Sequence, residues 1–71
     1  MKDKRRIIKF NPKKLEILQR MAKGFTEKEI AKEMGLSPIT IRNYINEMMK
    51  LSLTVNRAHL VYWAFKEKYI N

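Results

Sequence analysis

The sequence predicts an all-α fold, a bundle of four helices in one small domain. Three observations predict it. The chain has 71 residues, of which 45% are hydrophobic, which suits one small core and is too much for a disordered basic tail. Its two glycines and two prolines stand where segments with helically spaced apolar residues begin or end. No segment alternates apolar and polar residues over more than a few positions, so we expect no β-sheet.

The helix starts follow from capping residues. A side-chain oxygen ahead of the first turn marks a helix start, and a following proline, or a glutamate three residues later, strengthens the signal. Gly24 and Gly35 suit the ends of the first two helices. These signals predict helices over about 12–23, 27–34, 38–50 and 57–69. The four predicted N-caps are Asn11 (before Pro12), Thr26 (with Glu29 three residues later), Ser37 (before Pro38) and Asn56.

Composition excludes several classes of protein. Without cysteine the chain has no disulfide framework, and with one histidine, His59, a metal site is not expected. No apolar run approaches the roughly 18–20 residues that span a bilayer. The basic start is not followed by the apolar segment of a signal peptide. So small a chain rarely encloses a substrate. We therefore expect a cytoplasmic protein that is not an enzyme. We also expect that it binds no cofactor, metal ion or small-molecule ligand and does not associate with a membrane.

The positive charge is concentrated at the N-terminus. Sixteen lysines and arginines against seven acidic residues leave a net charge of +9. Residues 1–9 carry +4 of it and form a basic arm, ahead of the domain predicted over 10–71. A strongly basic small domain favours an acidic partner such as nucleic acid. The arm has three readings: a solubilising disordered tail, a phosphate clamp, or a minor-groove arm.

The second and third helices predict a DNA-reading unit. A three-residue link with one glycine, Gly35-Leu36-Ser37, joins them as in a helix-turn-helix, whose second helix enters the major groove. Arginine pairs with guanine, and asparagine pairs with adenine. Helical spacing places Ile41, Tyr44, Ile45 and Met48 on the buried face of the third helix, and Arg42, Asn43, Asn46 and Lys50 outward or on its flank.

Several motifs resemble one bacterial family. The stretch TEKEIAKEMGLSPITIRNY over residues 26–44 follows the pattern of the LuxR/GerE-type helix-turn-helix domain, and PKKLEIL over 12–18 and NRAHLV over 56–61 resemble its first and fourth helices. The resemblance covers about residues 10–65. It implies a tetrahelical helix-turn-helix domain that binds double-stranded DNA as a homodimer and regulates transcription. Only nine residues precede it, so no sensing or receiver domain is expected ahead of it.

The resemblance also implies site residues. Its base-reading positions fall on Arg42, Asn43 and Asn46. Two departures stand out: Tyr44 replaces the usual histidine, and the closing segment 50–53 arrives one residue early, so the third helix is shorter or the next loop longer by one. The expected phosphate contacts are Thr26, Lys28, Ser37, Thr40 and Tyr44 from the resemblance, with Lys50 added for its outward position.

The last predicted helix has more apolar surface than one core needs. One face carries Ala58, Val61, Phe65 and Tyr69, and a second carries His59, Trp63 and Ile70, with Tyr62 between them. One face should pack on the core and the other should form a dimer seam. Which face does which is open at this point. We take the dimer interface as His59, Tyr62, Trp63 and Ile70.

Two alternatives to a regulator that binds DNA alone are kept. One is a module like region four of a sigma factor, which would need RNA polymerase to bind promoters. The other is a protein-interaction module on a helix-turn-helix scaffold, which would bind an acidic partner and show no preference among DNA sequences.

Overall fold

A computed structural model of the chain describes residues 10–70. The basic arm predicted over 1–9 lies outside the described residues. Four α-helices follow one another, and no strand occurs within residues 10–70, so the predicted all-α bundle is confirmed. The helices are α1 (Pro12–Ala22), α2 (Glu27–Met34), α3 (Pro38–Ser52) and α4 (Arg57–Lys66).

All four predicted N-caps are confirmed. The side chains of Asn11, Ser37 and Asn56 accept hydrogen bonds from the backbone N–H three residues on, at 2.9, 3.1 and 2.8 Å. Thr26 accepts from the N–H of Glu29 at 3.1 Å, and the Glu29 carboxylate accepts from the N–H of Thr26 at 2.8 Å, which completes the capping box. Capping therefore determines where each helix begins.

The helix ends share one device. After each helix, a backbone N–H reaches back five residues to a carbonyl, and a residue just before that donor has positive φ. Glycine supplies that residue after α1 and α2, at Gly24 (φ 93°) and Gly35 (φ 68°). Leu53 (φ 59°) supplies it after α3, and Lys68 (φ 68°) after α4. The four bonds are Phe25 to Arg20 (3.0 Å), Leu36 to Ala31 (2.9 Å), Thr54 to Met49 (3.0 Å) and Tyr69 to Ala64 (2.8 Å).

Three helix ends differ from the predicted ones by one to three residues. Helix α1 ends at Ala22, one residue early, and helix α3 continues to Ser52, two residues beyond the predicted end. Helix α4 stops at Lys66, three residues early. After both α3 and α4, a non-glycine residue with positive φ reverses the chain, and a buried side chain follows it, Thr54 after Leu53 and Ile70 after Lys68.

Helix α3 lies at the centre of the domain and packs against the other three helices. Its buried side chains are Ile41, Ile45 and Met48, as the helical spacing predicts, and Tyr44 is half-buried. Burying such side chains away from water is the main stabilising contribution in a domain of this size. The other buried apolar residues are Phe10, Ile17, Leu18, Ile30, Ala31, Leu60, Ala64 and Ile70.

An aromatic cluster closes the domain where its two ends meet. The ring of Trp63 stacks on Tyr69 with centroids 5.2 Å apart, and Phe10 contacts both rings at 5.8 and 5.2 Å. Ile70 is only 4% exposed and belongs to the same core. The placement of Ile70 in a dimer seam is therefore corrected, because the turn at Lys68 folds the chain back and buries this side chain; Trp63 is half-buried in the same cluster.

Ion pairs join the helices at the surface. Arg20 on α1 donates to Glu33 on α2 at 2.8 Å and to Glu16 at 3.3 Å. The hydrogen bond with Glu33 raises the pKa of Arg20 above its ordinary value. Lys14 on α1 pairs with Glu47 on α3 at 3.1 Å. Such pairs fix relative orientation more than they add stability.

Candidate nucleic-acid interface

The outer face of α3 projects from the domain on the side opposite its buried stripe. The exposed side chains on this face are Arg42, Asn43, Asn46 and Lys50. The turn that presents this face runs through Gly35, whose left-handed backbone ends α2, and Ser37, whose hydroxyl caps α3. The arrangement gives one helix whose polar side chains can reach a partner surface.

Asn43 and Asn46 are free for such a contact. Neither side chain makes a hydrogen bond or ion pair with another residue within 10–70. Each amide therefore keeps its two donors and its carbonyl acceptor in water. Asparagine is also a poor helix former, so helix stability does not account for two of them on one exposed stretch.

Arg42 differs from its neighbours because an acidic residue holds it. Its Nε and Nη2 atoms donate to Glu27 Oε1 at 3.3 and 3.1 Å, although 56% of its side chain remains exposed. The other carboxylate oxygen of Glu27 pairs with Arg57. Glu27 is the first residue of α2 and Arg57 the first residue of α4, so this carboxylate joins α2, α3 and α4.

The expected phosphate-contacting residues lie around the same face. Thr26 and Ser37 sit at the N-termini of α2 and α3, where the helix dipole and free N–H groups favour anions. The Thr26 hydroxyl accepts its capping bond and keeps its own proton to donate. The Ser37 and Thr40 hydroxyls bond each other at 2.9 Å, and the two lysines, Lys28 and Lys50, are exposed. Tyr44 is half-buried behind them.

Two residues of this region were missed by the sequence analysis. Ile39 is 59% exposed, and at 100° per residue it lies about 160° around α3 from Ile41, between Asn46 and Asn43. The same helical spacing could have found it. Glu27 was counted only as a charge, because its partners stand 15 and 30 positions away in the chain, a separation no local pattern reports.

Comparison with known proteins identifies the family. Residues 9–64 match the family model described as bacterial regulatory proteins, luxR family. The chain belongs to the LuxR family. The match covers all of α1, α2 and α3 and most of α4, so the helix-turn-helix domain is the matched unit. A search of the curated proteins finds no match.

Membership of the LuxR family sets the broad function. The chain carries a DNA-binding domain of a transcription regulator, and α3 is the second helix of its helix-turn-helix. Among residues 10–70, no group of three or more histidine, cysteine, aspartate or glutamate side chains is arranged to hold a metal ion. None of the four helices is long and apolar enough to cross a membrane.

Proposed function

We propose that this protein is a sequence-specific regulator of transcription that inserts α3 into the major groove of double-stranded DNA and binds as a homodimer. The observation that carries the proposal is the pair of unpartnered amides, Asn43 and Asn46, on the exposed face of α3. Amides at these positions pair with the N6 and N7 atoms of adenine, and Arg42 pairs with guanine. The acting compartment is the cytoplasm, on the nucleoid.

Affinity and sequence choice come from different residues. Lys28 and Lys50, with the capping hydroxyls of Thr26 and Ser37, surround the base-reading face and suit phosphate contacts, which position the domain on the duplex. Thr40 and Tyr44 add hydroxyl donors to the same group. The charge of the described region, +5 over residues 10–70, is enough to attract DNA but modest, so directed contacts on α3 must supply the choice of sequence.

The dimer contact is proposed on the outer face of α4. Tyr62 and Phe65 are 60% and 59% exposed on adjacent turns, next to the exposed His59. His59 is partly engaged already, because its Nδ1 accepts the N–H of Val55 at 3.2 Å. Aromatic side chains that stay in water on one helix are typical of a surface that pairs. This proposed seam keeps His59 and Tyr62, adds Phe65, and leaves out the buried Ile70 and Trp63, which packs in the aromatic cluster.

The test of the whole proposal is selection of bound duplexes from random DNA with the full chain. We expect enrichment of a two-fold symmetric sequence whose half-sites lie about one helical turn apart. Retention of DNA without any enriched sequence would refute base reading and favour the interaction module or the polymerase-dependent module.

The dimer is tested separately by sedimentation of the free protein and of its complex with the selected site. Phe65→Lys should give a monomer and lose the two-fold site, while Val55→Lys, at another exposed apolar position in the loop before α4, should leave both unchanged. A dimer that survives Phe65→Lys unchanged would place the seam elsewhere.

A further inference from the structure

The acidic side chain of Glu27 lies where the first turns of α2 and α4 meet α3. Glu27 is the first residue of α2, and only 11% of its side chain is exposed. Its partners are far more open: 56% of the Arg42 side chain and 51% of the Arg57 side chain face solvent. Glu27 is therefore the fixed member of the group, held by Arg57 on one side, and Arg42 is the member that extends toward solvent.

The contact uses only part of the Arg42 guanidinium. Five N–H groups are available, and two of them, on Nε and Nη2, point to Glu27 Oε1. The Nη1 group and the second hydrogen of Nη2 remain, and they form the outer edge of the planar fork. Two parallel N–H groups on one edge are what the O6 and N7 atoms of guanine accept. Arg42 can bind Glu27 and a guanine at the same time.

We propose that Glu27 is a positioning residue that sets the specificity of Arg42 for a guanine in the half-site. The inference rests on the proposed function and deepens it. Without Glu27, the long Arg42 side chain samples many rotamers and loses this conformational freedom when it binds DNA. When Glu27 holds it, the side chain is already restricted before binding, so DNA binding costs less entropy. The carboxylate also offsets the guanidinium charge, so Arg42 contributes less to the sequence-independent attraction of phosphates. Both effects raise the ratio of specific to non-specific binding.

Arg57 has a supporting role in this arrangement. It pairs with the second carboxylate oxygen and keeps Glu27 directed at α3 from the start of α4. The base-reading side chain is thereby connected to the helix that carries the proposed dimer seam. Measurements of DNA binding test the contact between Glu27 and Arg42 directly.

The experiment starts from the sequence that the unaltered full chain selects. Affinities are measured for that duplex and for each single base-pair replacement in it, with the unaltered protein, Glu27→Gln and Glu33→Gln. Glu33→Gln is the matched control, because it removes one carboxylate from the same helix but the partner it loses is Arg20 on α1. We expect Glu27→Gln to reduce the preference for one G·C pair in each half-site by about tenfold, within the range of a single bidentate base contact. Preferences at the other positions should change less than twofold, and Glu33→Gln should change none.

A second variant ties the effect to Arg42. Arg42→Lys keeps the charge and loses the planar fork, so it should abolish the same G·C preference, and adding Glu27→Gln to it should cause no further loss. If Glu27→Gln is not folded by circular dichroism, Glu27→Asp replaces it, since it keeps the charge but is too short to span both arginines.

Three results would overturn the inference. Glu27→Gln could bind every duplex more tightly with unchanged base preferences, which would make Glu27 only a charge screen. Glu27→Gln could lower the melting temperature with base preferences unchanged, which would show that Glu27 only stabilises the fold. Arg42→Lys could leave the G·C preference intact. Each of these leaves the selected site in place, whereas failure of the proposed function is recognised by the absence of any selected site with the unaltered protein.

Discussion

Replacing Asn46 by alanine should move stability and affinity in opposite directions. The Asn46 side chain is exposed midway along α3 and has no hydrogen-bond partner within residues 10–70, so its removal costs the folded domain no hydrogen bond there. Alanine is the better helix former by up to about 0.7 kcal/mol, so the free energy of unfolding should rise by a few tenths of a kcal/mol.

The affinity for the selected duplex should fall. A bidentate asparagine–adenine pair contributes about 1–3 kcal/mol of discrimination, and a symmetric dimer makes the contact twice, so the loss is about 2–6 kcal/mol. The same loss should already be present in the unaltered protein when that A·T pair is replaced in both half-sites. Binding of Asn46→Ala to an unrelated duplex should stay within about 0.5 kcal/mol of the unaltered protein.

The assay is a fluorescence-anisotropy titration of the selected, replaced and unrelated duplexes at one salt concentration, with urea denaturation in parallel. Gln19→Ala is the control, because it removes a similar exposed amide from α1 instead of α3. An equal loss of affinity on all three duplexes would refute base reading by Asn46. A fall in the free energy of unfolding would refute the view that its side chain is free.

Further predictions concern the phosphate contacts, the exposed apolar side chain of Ile39 on α3, and the helix ends. Lys28→Ala and Lys50→Ala should each weaken binding to every duplex alike and reduce the slope of log K against log salt by about one per subunit; a loss confined to the selected site would contradict this. Ile39→Ala should abolish a preference for thymine over uracil at one position, because the thymine methyl group loses its apolar contact; unchanged discrimination would show that Ile39 does not read it. Gly35→Ala forces alanine to φ 68° and should lower stability by about 1–2 kcal/mol, or roughly 4–8 °C in melting temperature per kcal/mol, whereas Leu53→Gly relieves φ 59° and should raise stability slightly in the same thermal scan; effects of the same sign would refute the account of the helix ends.

Local signals determined most of the fold. The starts of all four helices follow from caps such as Thr26 and Ser37, because a side-chain oxygen satisfies backbone donors only a few residues away. The ends of the first two helices follow from glycine, because a residue without Cβ adopts positive φ at little cost. The exposed face of α3 is also local in origin, since the period of the helix decides which side chains lie opposite Ile41 and Ile45.

Tertiary structure decided the features that depend on distant residues. Leu53 and Lys68 adopt the strained left-handed backbone because the residues after them, Thr54 and Ile70, are buried by the turn, and no neighbouring sequence signal reports that burial. The stacking of Trp63 on Tyr69 depends on the turn at Lys68 in the same way, because that turn folds the chain back onto α4. The contact of Glu27 with α3 and α4 likewise exists only once three helices are packed, because the residues it joins are far apart in the chain and share no helical period.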